Sequence, residues 1–403
     1  MMPSTLPATE AIQNWQPILA WLAAMAIAWL IGEYGQRRFS LPRISGYAIA
    51  GFLLGGSQFG VLPASPDPAL AGLVDIAFAL ILFELGYRIN FRWLLANPWI
   101  GATSLLESAA TFVAVLGVTR IFALDWVPSL ILASLSISTS PAAVIRVAND
   151  LRAAGQVTER MLHLTAFNCL LAVIVFKVVL GYWVLDAAGS VFEAIWQGLV
   201  VMLASAGLGA LFGISVPGLL RLASDVDRQA TVAFALAVVL LTALTLSLQF
   251  SPLVAALTFG LVARHRRVVL SQAERNFGVL GDLLTILLFL YVAAILDWHH
   301  VLDGLPLAAA IILARLASKL LGTSLFARVS GITLRKGLLT GMALMPLSVF
   351  AILMLEQSRH LGIEQLNPLP GIAAVVLILE LVAPLATRWA LVLAGEAPAR
   401  REN

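Results

Sequence analysis

One apolar stretch carries four polar side chains with the chemistry to bind an ion or a small solute. Residues 165–179 read TAFNCLLAVIVFKVV and include Thr165, Asn168, Cys169 and Lys177. A hydroxyl and an amide offer oxygen ligands to a hard cation, whereas a neutral thiol is a poor ligand for it. The stretch contains no carboxylate, so any acid that carries a proton must come from another part of the chain.

Further ionisable side chains inside strongly apolar segments include Glu84, Glu107, Arg315, Lys319 and Glu380. A charge within a membrane is costly, so such side chains are functional candidates by default. Arg315 and Lys319 are four residues apart, which places them on one face of a helix. Glu84 and Glu107 are the leading candidates for a carrier of protons or charge. The alternative for each is a structural ion pair between helices.

The composition predicts the environment in which these side chains act. Of the 403 residues, 60% are hydrophobic and 12% are charged, whereas soluble domains are about 45–50% apolar and about 25% charged. The apolar segments are long and do not alternate, which predicts an all-α polytopic membrane protein, since only helices or closed barrels satisfy their backbone in lipid. No phosphate loop, zinc-ligand spacing or nucleophile motif occurs, so neither an enzyme nor a cofactor is predicted.

Thirteen segments have the apolar length of about 20 residues that a membrane span requires. The first is expected to remain as a helix rather than be a cleaved signal peptide, because no Lys or Arg precedes it. The shortest connection lies at Ser251-Pro252, between the eighth and ninth spans. The spans cover residues 16–35, 44–62, 70–88, 99–122, 126–148, 159–184, 193–221, 228–249, 252–265, 277–297, 305–327, 337–356 and 370–394.

Basic residues are distributed unevenly over the connections between the spans. Twenty of the 25 lysines and arginines fall on one side, only Arg120 and Arg359 fall on the other, and three lie within spans. Because basic residues accumulate in cytoplasmic loops, this predicts an N-terminus outside and a C-terminus in the cytoplasm. Topology explains these residues without nucleic acid, and the inner connection at 263–276 is basic enough to contact anionic lipid.

Two spans carry a proline at membrane depth beside hydroxyl side chains, Pro141 in SLSISTSPAAVIRV and Pro346 in GMALMPLSVFAIL. Proline removes a helix hydrogen bond, and the alternative for each is a simple kink. If residues 16–186 and 227–396 are two six-span repeats joined by a linker helix at 193–222, the prolines occupy matching positions. Broken helices at matching positions of inverted repeats mark the substrate site of many secondary transporters. We therefore predict a single transmembrane transporter domain over residues 1–403.

Six segments resemble, in order, those of monovalent cation:proton antiporters of the Kef/NapA-like branch, the sodium/hydrogen exchanger transmembrane domain. The resemblance implies the antiporter fold of about thirteen helices, with two inverted six-helix repeats and crossed discontinuous helices. The segments are PRISGYAIAGFLLGG (42–56), ALILFELGYRINFRWL (79–94), STSPAAVIRV (138–147), HLTAFNCLLAV (163–173), ARLASKLLG (314–322) and GLLTGMALMPLSVFAIL (337–353).

The resemblance also implies how the helices are used. Spans 1–3 and 8–10 would form a panel that often dimerises, and spans 4–6 and 11–13 a moving core. Members of the family exchange Na⁺ or K⁺ for protons by an elevator-like shift of that core. The resemblance therefore implies a homodimer in lipid, in a bacterial inner membrane, with a monovalent cation and a proton as substrates.

The resemblance places an ion or substrate site at the two broken helices and the sixth span. Lys319 matches a lysine that pairs with the acid of the site. The family usually has Asn-Asp or Asp-Asp where this chain has Asn168-Cys169, and Ser140 replaces an aspartate of one branch, so the site lacks its expected acid. The site residues implied are Thr139, Ser140, Thr165, Asn168, Cys169, Arg315, Lys319, Pro346 and Ser348.

Three functions remain open at this point. The first is a monovalent cation:proton antiporter whose acid is supplied elsewhere, by Glu84 or Glu107. The second is a transporter of an anion or organic solute on the same fold, since Arg315 and Lys319 without the acid leave the core more positive. The third is a transport-inactive sensor or assembly partner, for which the sequence offers no soluble regulatory domain. Cys169 is either a small buried hydrophobe or a thiol that cycles to thiolate.

Overall fold

A computed structural model describes residues 8–39, 41–63, 68–185, 191–221, 226–266, 277–349, 351–352, 354 and 370–397. Within these ranges the regular structure is entirely helical. The helices, numbered in chain order, are α1 Ala8–Phe39, α2 Arg43–Leu54, α3 Pro68–Arg88, α4 Phe91–Ala96, α5 Trp99–Ile121, α6 Trp126–Ile137, α7 Pro141–Leu151, α8 Gln156–Leu185, α9 Val191–Leu220, α10 Val226–Ser247, α11 Pro252–Arg264, α12 Gly278–Ala294, α13 Trp298–Asp303, α14 Leu305–Leu325, α15 Leu334–Ala343 and α16 Pro370–Leu393.

The thirteen predicted spans correspond to these helices. Nine stretches of the described chain are long and apolar enough to cross a membrane, and α2, α11 and α12 are shorter apolar helices. The twelfth predicted span, 337–356, begins as α15 and is broken after Ala343. The break at Ser251-Pro252 is confirmed: α10 ends at Ser247 and α11 starts at Pro252, where a proline suits the first helical position.

The helices divide into two groups by the neighbours on which they pack. The panel helices are α1–α3 and α9–α12: α2 packs against α1 and α12, and α11 packs against α3 and α9. The core helices are α5–α8 and α14–α16: α14 packs against α5, α15 and α16, while α6 packs against α5 and α8. The groups meet where α2 contacts α16, α3 contacts α7 and α8 contacts α9. The repeat boundaries at 16–186, 193–222 and 227–396 stay a prediction.

Two glycines let α3 and α11 approach each other closely. A Cβ atom at Gly86 would lie 2.1 Å from the Leu257 carbonyl oxygen, and one at Gly260 would lie 2.1 Å from the Phe83 carbonyl oxygen. Small residues at helix contacts are the usual means of tight packing in membranes, where no hydrophobic force drives helices together. The ring centroids of Phe83 and Phe259 lie 4.7 Å apart beside this contact, so the panel is densely packed.

The two broken spans face each other within the core helices. The α6 helix ends at Ile137, residues 138–140 are not helical, and α7 restarts at Pro141. Residues 345–348, after α15, are likewise not helical. The Ser140 backbone N–H donates to the Pro346 carbonyl at 2.8 Å, and the Thr139 hydroxyl donates to the Leu344 carbonyl at 3.3 Å. Each broken segment thus satisfies part of the backbone of the other.

Candidate ion-binding site

A carboxylate and an ammonium pair beside the crossing of the broken helices. Glu107 on α5 and Lys319 on α14 form an ion pair, and neither side chain is exposed to solvent. The Lys319 ammonium also donates to the Thr139 hydroxyl oxygen at 3.3 Å, and the Thr111 hydroxyl donates to Glu107 Oε1 at 3.3 Å. A buried ion pair is stable only when its two charges compensate each other and their polar atoms are hydrogen-bonded. Here the charges are opposite, and the hydroxyls of Thr111 and Thr139 each make a hydrogen bond to the pair.

A glycine on α14 allows this pair to form at short range. A Cβ atom at Gly322 would lie 2.7 Å from the Glu107 Cα atom, closer than any real side chain tolerates. The backbones of α5 and α14 therefore touch directly at the level of the acid. The same contact buries Glu107 completely, so its charge depends on Lys319 for compensation.

Asn168 on α8 connects the crossing to the polar face of α5. Its amide nitrogen donates to the Thr139 hydroxyl at 3.3 Å. Its amide oxygen accepts from the hydroxyls of Ser104 at 3.0 Å and Ser108 at 3.3 Å. The amide orientation agrees with these donors, because a serine hydroxyl cannot donate to an NH₂ group. All of these side chains are buried.

Sequence reasoning missed the polar face of α5, apart from its acid. Ser104, Glu107, Ser108 and Thr111 recur at spacings of three and four, which places them on one face of the helix. This spacing within an apolar span was the available signal. The helix α5 therefore contributes four polar side chains to the site.

Thr139 is the side chain on which these interactions converge. Its hydroxyl oxygen accepts from Lys319 and from Asn168, and its proton is donated to the Leu344 carbonyl. A hydroxyl has one donor and two acceptor positions, so all of them are used. Thr139 therefore links α14, α8 and the second broken helix through one oxygen atom.

Cys169 lies between this polar network and an apolar cavity. Its thiol contacts the Thr139 carbonyl oxygen, with a sulfur–oxygen distance of 3.1 Å. On its other side is a cavity of about 10 Å³ between α3, α8 and α11, lined by Cys169, Phe78, Leu82, Leu170, Val173, Leu253, Val254 and Leu257. The thiol behaves as a small group that fills space and makes one weak hydrogen bond.

Arg315 contacts the backbone of the crossing rather than the side chains around Glu107. Its guanidinium donates to the carbonyl oxygens of Ser136, of Ser138 at 3.2 Å and of Met345 at 3.1 Å. The last carbonyls of a helix lack intrahelical partners and carry the negative end of its dipole. Arg315 therefore caps the end of α6 and joins it to the second broken helix.

The other predicted site residues lie at or near the crossing in structural positions. The Ser140 hydroxyl accepts from the Ala143 N–H at 3.3 Å and caps α7, and the Pro346 carbonyl accepts from Ser140. The Ser348 carbonyl accepts from the Ala351 N–H at 2.9 Å. The Thr165 hydroxyl donates to the Met161 carbonyl of its own helix at 2.7 Å. None of these four contacts involves Glu107 or Lys319.

The second candidate acid, Glu84, is bound in a different place. It pairs with Arg88 at 2.8 Å and accepts from the Asn149 amide at 3.3 Å. Arg88 in turn donates to the Asn149 side-chain oxygen at 2.5 Å. This cluster joins α3 of the panel to α7 of the core. These contacts are those of a structural ion pair between helices, which was the alternative role predicted for Glu84.

Two further intramembrane ionisable groups, Lys177 and Glu380, lie apart from the ion pair. Lys177 faces α9, since a Cβ atom at Gly198 would lie 3.9 Å from the Lys177 Cβ. Glu380 on α16 is buried, and neither of its carboxyl oxygens has a hydrogen-bond partner among the described residues. The described residues hold no cluster of three His, Cys, Asp or Glu side chains that would bind a metal.

Crossed broken helices around a buried charge pair define a secondary-transporter architecture, in which irregular backbone at membrane depth lines a central site. The sequence profile of the transmembrane sodium/hydrogen exchanger family matches residues 22–393. The chain belongs to this family, which is one of transporters and not of enzymes. No curated protein matches the chain in sequence.

Solved structures of a sodium proton antiporter share the fold. One structure of MjNhaP1 from Methanocaldococcus jannaschii, determined at pH 8, superposes with a TM-score of 0.70 and 17% identity over 96% of this chain and 100% of that chain. An electron-microscopy structure of the same antiporter gives a TM-score of 0.71 and 16% identity over 99% of this chain and 100% of that one. The likeness extends over the whole transmembrane domain and confirms the predicted antiporter fold.

Proposed function

We propose that this protein is a monovalent cation:proton antiporter in which the Glu107–Lys319 pair carries the exchange. Membership of the sodium/hydrogen exchanger family supports the reaction class. The single observation that carries the assignment of residues is the fully buried ion pair beside the crossing. A charged side chain within the membrane is energetically costly, so it is a candidate functional site by default.

The charges of the pair suggest how one ion replaces another. Glu107 and Lys319 together carry no net charge when both are ionised. A Na⁺ or K⁺ ion that binds Glu107 displaces the ammonium, and Lys319 then loses one proton. The net charge of the site is unchanged, which matters because an uncompensated charge in a low-dielectric interior is costly. The exchange is therefore one cation for one proton.

Oxygen atoms around Glu107 fit a hard cation. Glu107 Oε2 has no hydrogen-bond partner among the described residues. The hydroxyls of Thr111 and Thr139 contact the ion pair directly. Carboxylate, hydroxyl and carbonyl oxygens are the ligands that hard cations prefer. Both Na⁺ and K⁺ fall within the proposal.

The position of Glu107 offers a replacement for the acid that is missing at the Asn168-Cys169 pair. We propose that Cys169 stands where the family usually places its aspartate, and that Glu107 supplies the carboxylate from α5 instead. Support comes from Thr139, which contacts Cys169, Asn168 and Lys319 and so brings the two positions to one place. The site keeps a carboxylate but changes the helix that provides it.

Anion transport is not favoured by this arrangement. It was suggested by Lys319 and Arg315 without a compensating acid. Lys319 is paired with Glu107, and Arg315 is engaged by three backbone carbonyls. No observation favours a transport-inactive sensor.

The proposal includes the predicted orientation, oligomeric state and membrane location of the protein. The excess of basic residues on one side of the spans supports an N-terminus outside and a cytoplasmic C-terminus. The resemblance to the antiporters supports a homodimer in a bacterial inner membrane. Cross-linking in native membranes, with cysteine accessibility at each terminus, tests both statements.

Proteoliposomes with an imposed pH gradient test the exchange. Addition of Na⁺, Li⁺ or K⁺ is expected to dissipate the gradient in a saturable way, whereas empty liposomes show no response. The E107Q variant is expected to lose the response, and E84Q, with its acid outside the site, to retain it. The E107Q/K319Q variant leaves no unpaired charge and separates loss of exchange from loss of folding. A flat trace from the wild-type protein with all three cations would contradict the proposal.

A further inference from the structure

A wide crevice separates the panel from the core at one end of the spans. Its volume is about 760 Å³, within the range of about 300–1,000 Å³ that is typical of small-molecule sites. The panel wall is formed by the end of α1 and the connection to α2, and the core wall by the last turns of α7 and α16. All of these segments lie on the side that the basic residues predict to be cytoplasmic.

Arginines line this crevice from both of its walls. Arg37 belongs to the panel, whereas Arg152 and Arg388 belong to the core. The general excess of basic residues in cytoplasmic connections accounts for their side of the membrane. It does not account for three guanidinium groups from three separate helix ends around one cavity. The planar fork of donors on a guanidinium is suited to carboxylate and phosphate groups, so the crevice has the chemistry of an anion site.

The carboxylates around the crevice compensate only part of this charge. On the panel, Glu33 pairs with both Arg37, at 2.7 Å, and Arg43, at 3.1 Å. On the core, Asp150 is the one carboxylate among the lining residues, and the charges of Arg43 and Arg388 both act on it. Two carboxylates thus compensate at most two of these three arginines, before the arginine at the end of α7 is counted. A net positive charge remains for a ligand.

Arg152 occupies a backbone position that usually belongs to glycine. It ends α7 with φ 49° and ψ 38°, in the left-handed region. Helices that end in this conformation most often place a glycine there, because a Cβ atom is disfavoured. The Arg152 side chain lines the crevice and joins none of the ion pairs among the described residues. An arginine that occupies a strained position indicates a function for its side chain.

Apolar side chains adjoin the arginines and extend toward the lipid. Leu151 and Val392 line the crevice, and Val392 is 50% exposed on α16. Trp389, beside Arg388 in the sequence, is 58% exposed, and exposed tryptophans at the ends of spans lie at the level of the lipid headgroups. The crevice therefore suits an amphipathic ligand with an anionic head and apolar chains.

We propose that this crevice binds the phosphate group of an anionic phospholipid, with Arg37, Arg152 and Arg388 as its ligands. Basic pockets between membrane helices on the cytoplasmic side are suited to such headgroups. A soluble phosphate shares the chemistry of the headgroup but lacks the chains. A lipid in this position contacts both panel and core and holds the two against each other. The inference does not depend on the proposed antiport, because it concerns binding alone.

Lipid-dependent stabilisation of the purified protein tests the site. The protein is delipidated in an uncharged detergent at low salt, and its melting temperature is measured during titration with phosphatidylglycerol. We expect a saturable rise, since a ligand that binds the folded state stabilises it, and no such rise with phosphatidylcholine of the same chain length. An equal rise with phosphatidylcholine overturns the proposal. An equal rise with inorganic phosphate at the same concentration overturns the lipid as the source of the anion.

Variants of the two core arginines locate the response. The R152G/R388Q variant is expected to need about tenfold more phosphatidylglycerol for half of the rise, because charge-assisted hydrogen bonds to the phosphate are lost. R152G alone is expected to shift the titration in the same direction and to fold normally, since glycine suits the backbone at this position. The matched control is R92Q/R328Q, which removes two exposed positive charges from the same side of the membrane, outside the crevice.

Native mass spectrometry provides a second measurement, of the lipid itself. Per protomer, R92Q/R328Q is expected to retain the same number of phosphatidylglycerol molecules as the wild-type protein, and R152G/R388Q one fewer. Equal titrations and equal retention in R152G, R152G/R388Q and R92Q/R328Q would show that overall charge attracts the lipid, and would overturn the site. Because neither measurement involves transport, a failure of the proposed antiport leaves both results valid.

Discussion

Glu107 and Lys319 are separated by 212 positions in the sequence, yet they form an ion pair in which neither side chain has any exposure to solvent. Removing one partner of such a pair leaves an uncompensated charge and typically costs about 3–5 kcal/mol. A pair of this kind is maintained by the surrounding packing, here by the direct contact of α5 with α14 at Gly322. The arrangement gives the crossing an acid although residues 165–179 contain none.

Substitution of Cys169 tests whether its thiol binds the transported ion or only fills space. The C169A variant is expected to retain exchange, because the thiol makes only one weak contact, to a backbone oxygen. The C169D variant is expected to bind the cation about tenfold more tightly, since a charge-assisted ligand contributes at least about 1.4 kcal/mol. The cation dependence of gradient dissipation measures both. Loss of exchange in C169A would instead assign the proton to the thiol.

Adding a methyl group at Gly322 is expected to disrupt the ion pair. The new Cβ atom would lie 2.7 Å from the Glu107 backbone, so α5 and α14 must separate, at a cost of about 1–3 kcal/mol for overpacking. We expect a lower melting temperature and a loss of most of the exchange in G322A. The control is G117A on α5, where no atom lies within 4 Å. Equal melting temperatures for the two variants would show that the contact is not tight.

Loss of the Thr139 hydroxyl is expected to weaken the site at three contacts at once. In T139V, Lys319 and Asn168 each lose an acceptor, and the Leu344 carbonyl loses a donor. Each unsatisfied buried group costs about 1–3 kcal/mol, so the variant should melt earlier and exchange slowly. T242V is the control, because the Thr242 hydroxyl is buried but donates only within its own helix. Wild-type exchange by T139V would argue against convergence on this hydroxyl.

The guanidinium of Arg315 is expected to be irreplaceable by lysine. A lysine cannot present the planar fork that reaches Ser136, Ser138 and Met345 together. Hydrogen bonds to a charged group contribute about 1.5–3 kcal/mol each, so R315K should lower the melting temperature markedly. Arg335 provides the control, since it is exposed and donates to one carbonyl, that of Leu393, at 3.1 Å. If R315K and R335K melt alike, Arg315 does not hold the crossing.

The spans and their breaks were predictable because they depend on local sequence. Apolar length predicts a span whatever surrounds it, and Pro252 ends one helix and begins another by its own geometry. Pro141 and Pro346 likewise predicted where two helices are interrupted. The prolines did not reveal that the breaks face each other, because the Ser140–Pro346 contact joins residues from separate halves of the chain.

The choice between the two candidate acids needed the tertiary structure. Glu84 and Glu107 both lie in apolar spans, and sequence alone ranked them equally. The structure pairs Glu84 with Arg88 and Asn149 between panel and core, and it pairs Glu107 with Lys319 beside Thr139. Ser104 and Ser108 were missed because nothing local shows which face of a helix turns toward Asn168.

By itself the sequence determined the class of protein, the number of spans and the residues available for chemistry. These follow from composition, proline positions and the spacing of charges, each of which acts over one helix. Only the tertiary structure decided which acid pairs with Lys319. It also decided that Arg315 donates to backbone carbonyls instead of lining an ion site. The physical reason is that a buried charge is stabilised by partners brought from distant parts of the chain, and helix packing alone selects those partners.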